Sequence, residues 1–329
     1  MSKDFILRLI QSLCCSNNIL VDAGFALRTN LEMYDLSVVI ASINGLPYLR
    51  ECLAALRKQQ GAINAEVIVA DCVGREVTEF VRREYPTVTM IPFEEKKSVP
   101  ELRAAAIARS TGQVIAITED HCIPPPDWYE SVLRAHAKNP GMAIGGAVDN
   151  GATQSLIDWA VFFCEYSNFM SPVANGIVHD LPGPNVSYKR QALSPIRDKI
   201  KDEFWETFVH CDLEERGEKL WSDPSIKMIH KKHFTMNSFL TERYHYSRAF
   251  AGLRNQSLSP GKRVLYTLAA PLLPPLLFYR LWQRVIPKKQ YSAKFAMAMP
   301  LLLIFMVVWA WGESVGYALG PGDSALYLS

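Results

Sequence analysis

The chain has 329 residues, 49% of them hydrophobic, and a formal net charge of +2. This length corresponds to about two domains or one large one, and the composition allows a sizeable buried core. From Lys262 onward the chain has seven Lys and Arg residues against two acidic ones, whereas residues 1–261 have 28 basic and 31 acidic residues. A basic excess in the apolar C-terminal part fits an anionic membrane surface better than nucleic acid, and we expect no nucleic-acid partner.

Residues 1–35 form an N-terminal extension that lacks the features of a signal peptide. Its apolar residues recur near helical spacing from Phe5 to Leu13, with Arg8 between them. Packing on the core or disorder is favoured over an amphipathic helix on a membrane, because the apolar stripe is short. The seven cysteines of the whole chain have no zinc or redox spacing, as expected for reduced thiols in the cytosol.

Short apolar runs alternate with segments of helical spacing from residue 36 to residue 118. Near-continuous apolar strands separated by helices are typical of a mostly parallel sheet covered on both faces, which is a doubly wound α/β fold. The predicted strands are 36–42, 66–71, 87–93 and 113–118, and the predicted helices are 48–59, 77–85 and 99–110.

Five polar residues lie at the carboxyl ends of the predicted strands. Asn44 comes just after the first strand, and Asp71 ends the second. Glu119, Asp120 and His121 come directly after the fourth. Doubly wound sheets bind their ligands outside the carboxyl ends of the strands, so these residues are expected to line a binding crevice.

The Glu119-Asp120-His121 run indicates a divalent cation. Mg²⁺ and Mn²⁺ take oxygen ligands from one or two carboxylates and from the phosphates of a substrate, and an imidazole ligand favours Mn²⁺. The same three residues also fit a solvated acidic loop that caps the following helix. The spacing alone leaves both interpretations open.

After residue 148 the regular alternation ends. The chain therefore divides into a regular half, residues 36–150, and a less regular half, residues 151–256. The elements predicted for the second half are helices at 155–169, 202–221 and 238–254, a strand within 225–234, and a loop with a short strand and the start of a helix at 181–193.

The tail, residues 262–329, contains two membrane-like segments. The first, predicted over 264–286, has an uncharged core of 16 residues, or about 24 Å as a helix, which is short of the roughly 30 Å hydrocarbon core. Its three prolines and its basic residues on both flanks favour a re-entrant or in-plane hairpin, with a full span as the alternative. The second, predicted over 293–319, has 18 uncharged residues and is predicted to be transmembrane.

Three stretches of residues 36–256 are similar to the catalytic domain of family 2 glycosyltransferases. They are "LSVVIASINGLPYLRECLAAL" at the first strand and helix, "EVIVADCVGRE" at the second strand, and "VPELRAAAIARSTGQVIAITEDHCIPPPDWYES" at 99–131. The resemblance implies the GT-A fold. It also implies that residues 36–150 bind the nucleotide and residues 151–256 bind the acceptor.

The resemblance assigns roles in the nucleotide-binding half. Asp71 would contact the nucleobase, Glu119 the ribose, and Arg103 stands where the family often has an arginine; Asn44 and Asp120 would also contribute to nucleotide-sugar binding. The family's metal motif is usually Asp-x-Asp, and this chain has Glu119-Asp120-His121 instead. By carry-over His121 takes the metal-binding place, with Asp120 as a second ligand and Glu119 as a further candidate.

In the acceptor half the resemblance points to a base. The family has an acidic pair on a helix, 11 residues before a glycine, and Glu206 matches the second member relative to Gly217. Trp205 replaces the first member, and Asp212 is the reserve base. "GPNVSYKR" resembles the loop between the two halves, which makes Asn185 a donor-binding candidate.

Two further groups lie near the end of this half. Arg243 or Arg248 could reach a diphosphate, because a guanidinium matches phosphate geometry. His230 and His233 form an H-x-x-H in a basic run, and a solvated strand end is favoured over a metal site there. A processive synthase is disfavoured, because its motif is degenerate here and the tail has too few membrane segments.

Together these features predict an inverting, metal-dependent glycosyltransferase of the hexosyltransferase type. It would move one sugar from a nucleotide-diphosphate sugar to a membrane-associated, lipid-linked or glycan acceptor in cell-envelope polysaccharide or glycolipid synthesis. The expected location is the cell membrane, or the inner membrane of a two-membrane bacterium, with the catalytic domain facing the cytoplasm. The alternatives are a catalytically inactive nucleotide-sugar binding protein and a metal-dependent phosphoester hydrolase.

Overall fold

The computed structural model describes residues 34–255 and 258–327, so the prediction for the N-terminal extension falls almost wholly outside the described residues. Within these residues nine strands form one sheet: β1 (Leu36–Ser42), β2 (Ala65–Asp71), β3 (Thr89–Pro92), β4 (Val114–Glu119), β5 (Cys122–Ile123), β6 (Ala143–Asn150), β7 (Gly176–Val178), β8 (Val186–Lys189) and β9 (Leu220–His230). Their order across the sheet is β3-β2-β1-β4-β8-β6-β9-β5, and β7 pairs with β9.

Helices cover both faces of the sheet and make up the C-terminal part of the chain. They are α1 (Leu46–Leu56), α2 (Arg75–Glu84), α3 (Val99–Arg109), α4 (Trp128–Lys138), α5 (Leu156–Tyr166), α6 (Arg190–Leu193), α7 (Arg197–Ile200), α8 (Glu206–Glu215), α9 (Met236–Arg254), α10 (Pro260–Ala269), α11 (Leu273–Val285) and α12 (Ser292–Leu319).

The predicted doubly wound α/β fold is confirmed, and β1 explains why. All seven of its residues are buried, and it pairs in parallel with β2 on one side and β4 on the other. Val38 and Ile40 belong to the core under α1 and α2, whereas Val39 and Ala41 belong to the core under α3. Since successive strand residues face opposite sides, a fully apolar run is needed to fill both cores.

The second half departs from the sequence prediction at two elements. Strand β6 was not predicted, because Gly145 and Gly146 interrupt its apolar pattern; it pairs with β8 and β9 in the middle of the sheet. The helix expected over 202–221, with Gly217 as its predicted end, is α8, and the residues after Gly217 begin β9, which is longer than the strand expected within 225–234. The end of β9 lies beside β5.

Helix α3 carries the arginine that the site uses. Ser98 accepts a hydrogen bond from the backbone N–H of Glu101, whose carboxylate accepts one from the backbone N–H of Ser98, so the helix begins with a capping box. Arg103 lies on the buried face of the helix, next to Leu102 and Ala104. The cap therefore fixes the residue at which the helix begins, and this places Arg103 near the carboxyl ends of the strands.

The tail packs against the catalytic domain chiefly through α12. Phe295, Leu302 and Phe305 of α12 are fully buried and share a hydrophobic core with residues of α5 and α9. A 3-10 turn at Ala270–Leu272 joins α10 to α11. The segments Pro260–Lys288 and Ser292–Leu319 are both long and apolar enough to cross a membrane, by length and composition alone.

Gly146 is expected to be irreplaceable in the sheet. A Cβ at this position would lie 1.8 Å from the carbonyl oxygen of Ile226 in β9, so Gly146→Ala must push two central strands apart. We expect a loss of roughly 3 kcal/mol or more of stability, measured by thermal unfolding of the purified protein.

Gly261→Ala is the matched control, because no atom lies within 4 Å of a Cβ there. Its unfolding temperature should equal or slightly exceed that of the wild type. Equal stability of Gly146→Ala and Gly261→Ala would contradict the packing of β6 on β9.

Candidate active site

A cavity of about 290 Å³ lies at the carboxyl ends of β1 and β4. Its walls come from both halves of the catalytic domain and from the tail. They include Arg103, Glu119 and His121 from the first half, Glu206 and Arg243 from the second, and Trp309 from α12.

Asp120 organises the loop after β1 and is fully buried. Its Oδ2 accepts hydrogen bonds from the backbone N–H groups of Ile43 and Asn44, at 2.8 and 2.7 Å. Its Oδ1 accepts one from Nδ2 of Asn44 at 2.8 Å and lies 2.8 Å from Nδ1 of His121. Burial opposes ionisation, but the bonds from His121 and Asn44 hold the pKa of this carboxyl below its usual value.

These bonds give Asp120 a structural role. Both of its oxygens have partners inside the protein, so Asp120 positions the neighbouring loop, and its predicted role as a metal ligand stays a prediction. The Asn44 amide, predicted to bind the nucleotide sugar, lines the cavity but donates to Asp120.

Glu119, His121 and His230 form the cluster that fits a metal. Nε2 of His121 lies 3.2 Å from Oε2 of Glu119 and 2.8 Å from Nε2 of His230. The ligand atoms of Glu119, His121 and Cys122 all lie within 4.8 Å of one another, but burial raises the pKa of the Cys122 thiol well above the ordinary value, so the thiol stays protonated. Two imidazoles and a carboxylate remain as donors.

The donor set suits a divalent cation such as Mn²⁺. Neighbouring ligands of an octahedral ion lie about 3 Å apart, close to the separation of the two imidazole nitrogens. Nitrogen donors fit Mn²⁺ better than Mg²⁺. In the protein without metal, burial opposes protonation of His121, but Asp120 and Glu119 raise its pKa to about 9. Burial likewise disfavours ionisation of Glu119, yet His121 and Arg103 hold the pKa of that carboxyl below its usual range.

His230 contradicts the sequence-based interpretation. It was expected at a solvated strand end, but only 5% of it is exposed, and its ring contacts Tyr166 at 4.7 Å. His233, the other member of the H-x-x-H pair, contacts Asp158 at 3.0 Å instead. The pairing of Cys122 in β5 with His230 in β9 brings the histidine to the metal motif, and no local sequence signal reveals that pairing.

Arg103 joins the two halves of the site. Its guanidinium is buried and donates from Nη2 to Glu119 at 2.8 Å and from Nη1 to Glu206 at 2.6 Å. Glu206 begins α8, lines the cavity, and keeps a fifth of its side chain exposed. Gly183 allows this position, since a Cβ there would lie 2.7 Å from Oε1 of Glu206.

Arg243 reaches the cavity as predicted, but its surroundings were not foreseen. It is buried, pairs with Glu165 at 3.2 Å, and stacks 4.3 Å above the ring of Trp309. Glu165 and Trp309 both line the cavity, and neither belongs to a motif that the sequence analysis identified.

Two predicted residues lie away from the cavity. Asp212, the reserve base, pairs with Lys199 at 2.6 Å and Arg216 at 2.9 Å, because it lies on the outer side of α8. Arg248 donates to the carbonyl oxygen of Gly320 at 3.4 Å, on a different side of α9 from Arg243. Neither residue lines the cavity, and their predicted roles stay predictions.

The side chains of Asn185 and Asp71 make hydrogen bonds to other parts of the catalytic domain. The Asn185 amide accepts from Nε1 of Trp128 and donates to the carbonyl oxygens of Ala147 and Ile226, and its assignment to donor binding stays a prediction. Asp71 is fully buried and accepts a hydrogen bond from Oγ of Ser42 at 2.7 Å, as well as two from the backbone that follows it. Its contact with a nucleobase stays a prediction.

Comparison with known proteins identifies the class. Residues 37–197 match the family model described as glycosyl transferase family 2. The mannosyltransferase PcManGT from Pyrobaculum calidifontis, solved in complex with GDP-Man and Mn²⁺, is 14% identical, with a TM-score of 0.51 over 94% of each chain. At this identity the likeness concerns the fold alone.

Another solved structure, GalNAc-T7 with UDP, GalNAc and Mn²⁺, is 15% identical with a TM-score of 0.48. The match covers 61% of this chain and 44% of the chain of GalNAc-T7, and a likeness this low supports no argument. The search of curated proteins found no match.

The sheet order and the likeness to the fold neighbour identify the GT-A fold. Residues 37–197, just under half of the chain, match glycosyl transferase family 2, and the protein is a glycosyltransferase. The predicted resemblance is thereby confirmed.

His230 is expected to be a metal ligand. His230→Ala should weaken Mn²⁺ binding by roughly 10- to 100-fold, the loss that follows when even an outer partner of a metal ligand is removed. His233→Ala is the control, because that ring lies outside the cluster, and it should bind Mn²⁺ like the wild type. Equal dissociation constants for both variants in a calorimetric titration would contradict the assignment.

Metal binding is expected to release a proton from His121. Because its pKa is raised to about 9, the imidazole is protonated at pH 7, and only the neutral ring binds a cation. The apparent Mn²⁺ affinity should therefore rise by up to about tenfold per pH unit between pH 7 and 8.5.

Calorimetry in two buffers of different ionisation enthalpy measures this proton directly. His121→Asn should bind Mn²⁺ more weakly and with a much shallower pH dependence. A flat affinity in the wild type over this range would be inconsistent with a protonated His121.

Proposed function

We propose that the protein transfers one hexosyl residue, with inversion, from a nucleotide-diphosphate sugar to a hydroxyl group of a lipid-linked acceptor. One observation carries this proposal. Arg103 holds the carboxylate of Glu206 on one side of the cavity and that of Glu119, beside His121 and His230, on the other. A base and a diphosphate site thus share one chamber.

Glu206 is the proposed general base. It would accept the proton of the acceptor hydroxyl while the acceptor oxygen bonds to the anomeric carbon and the bond from that carbon to the diphosphate oxygen breaks. A divalent cation bound by Glu119, His121 and His230 supplies charge stabilisation to the diphosphate. Arg103 orients the base, because its two hydrogen bonds fix the guanidinium between the two carboxylates.

Other carboxylates line the cavity but are less suited to this role. Glu165 pairs with Arg243 at 3.2 Å, and Glu242 lies 3.5 Å from Lys232. Asp180 is more than half exposed and is tied to neither arginine of the cavity. Of these four carboxylates, only Glu206 is joined to the metal cluster, because the guanidinium of Arg103 pairs with both Glu206 and Glu119.

The donor class follows from the family and from the fold neighbour. PcManGT was solved with GDP-Man and Mn²⁺, which supports a nucleotide-diphosphate sugar and a divalent cation here. The imidazole donors favour Mn²⁺ over Mg²⁺.

The acceptor half of the cavity favours a lipid-linked acceptor. Trp309 in its wall belongs to α12, one of the two helices apolar enough for a membrane, and Phe169, Phe234 and Tyr246 add aromatic surface. An enzyme for soluble sugars would gain little from such a wall. We place the enzyme at the cytoplasmic face of the cell membrane, the inner one in a two-membrane bacterium.

Glu206→Gln is expected to abolish transfer and to preserve donor binding. Loss of a positioned base lowers the rate by about 10³-fold, while the isosteric amide keeps a hydrogen-bonding partner for Arg103. Transfer is followed with radiolabelled nucleotide sugars and a membrane lipid extract, and donor binding is followed by thermal stabilisation in Mn²⁺.

Asp180→Asn is the matched control, since it makes the same chemical change in the same cavity, and it should retain most activity. Turnover of Glu206→Gln at the wild-type rate would remove the proposed base. Donor binding without any transfer by the wild type, over a panel of nucleotide sugars and lipid extracts, would refute the proposed reaction.

A further inference from the structure

We propose that α10, α11 and α12 lie in the plane of the membrane within its cytoplasmic leaflet and do not cross it. The outer face of these three helices contacts lipid. This placement goes beyond the proposed reaction and does not depend on it.

Both ends of α12 contact the catalytic domain. At its beginning, Tyr291 lies 4.8 Å from Trp159 and Phe295 lies 5.4 Å from Phe163, both in α5. Beyond its end, Tyr327 stacks on His245 of α9 at 4.1 Å. Between these contacts lies a helix of 28 residues, about 42 Å long.

The middle of α12 follows α9 closely. Phe305 packs on Phe239 at 4.5 Å. Gly312 and Gly316 allow contact with the α9 backbone, since a Cβ at either would lie 2.5 Å from a carbonyl oxygen of that helix. A spanning α12 would therefore drag α9, with its buried Arg243 and Arg254, to the same depth in hydrocarbon, where charged side chains are expensive.

The opposite face of α12 is apolar and exposed. Met297, Ile304, Val307 and Trp311 recur at helical spacing and are each 45–63% exposed, although the helix is buried on its other side. The neighbouring helices extend this surface, because Tyr266 of α10 contacts Tyr317 and Trp282 of α11 contacts Phe295. Their exposed apolar residues are Val264, Leu265, Leu268, Leu272, Tyr279 and Trp282. A continuous apolar face of this kind requires a nonpolar partner.

The charges identify that partner as an anionic leaflet. Lys262 and Arg263 lie at one end of the helical layer, where Arg263 donates to the carbonyl oxygen of Tyr317. The other end, where α11 leads into α12, has Arg284, Lys289 and Lys294. In a spanning hairpin these two basic groups would lie on opposite sides of the membrane, against the bias of basic residues to the cytoplasmic side.

In the plane of the leaflet both groups reach anionic headgroups at the same depth. Trp282, Trp311 and Tyr279 are residue types that favour this interfacial zone. The charges and the contacts of α12 thus lead to the same orientation.

The orientation has a consequence for substrate entry, which does rest on the proposed function. Trp309 faces the cavity and Trp311 faces outward on the same helix. A lipid-linked acceptor can then reach Glu206 by lateral movement within the leaflet, with its chain kept in hydrocarbon.

Labelling from one side of a sealed membrane tests the placement. Gln290→Cys reports the α11–α12 connection, Asp323→Cys reports the end of the tail, and Glu84→Cys on α2 reports the catalytic domain; all three positions are exposed. Inside-out and right-side-out vesicles carrying the full chain are treated with a membrane-impermeant maleimide, and labelling above that of the wild type is measured.

We expect all three cysteines to react from the same side. Reaction of Gln290→Cys from the side opposite to Glu84→Cys would establish two spans and overturn the proposal. Reaction of Asp323→Cys from the opposite side would establish one span and overturn it equally.

A depth measurement separates the leaflet from other partners. Nitroxide labels at Met297→Cys, Ile304→Cys and Trp311→Cys should show similar oxygen accessibility, with depths within about 5 Å of one another. A spanning helix would separate the first and last by roughly 21 Å. Low oxygen accessibility at all three, together with cross-linking into a dimer, would mean that a second copy covers the face, and the proposal would fail.

Discussion

The site depends on one buried cation, the guanidinium of Arg103. A charge removed from water is tolerated only when it is paired, and both partners of Arg103 are carboxylates that the chemistry needs. One belongs to the end of β4 and the other to the first turn of α8, 87 positions further along the chain. Because the same guanidinium donates to both carboxylates, it holds the end of β4 and the first turn of α8 in a fixed relation.

The altered metal motif divides its contacts between the loop and the cavity. All three of its residues line the cavity, but Asp120 accepts hydrogen bonds from the backbone of the loop after β1, whereas Glu119 contacts Arg103 and His121 contacts His230. We therefore expect Asp120 to hold the loop and the two outer residues to meet the ligand. His230 contributes from β9 the nitrogen donor that complements the imidazole of His121.

The sequence predicted the first half of the fold and the position of the site, because strands buried on both faces are continuously apolar and their carboxyl ends carry the polar residues. It failed where the signal was not local. Strand β6 contains two glycines, and His230 comes to His121 only through the pairing of β5 with β9, across 109 positions. The hydrogen bonds of Asn185 to buried backbone groups were not predicted either, because their partners lie in other elements of the chain.

The wall that α12 gives to the cavity has a consequence for how such enzymes diversify. Trp309 and the Phe305–Phe239 contact make the tail a part of the chamber in which the acceptor would react. The tail is therefore not an interchangeable anchor. A chimera in which another hydrophobic hairpin replaces the tail would lack one wall of the cavity. Substitutions in the tail that seem to affect only membrane attachment would also change which acceptor fits the cavity.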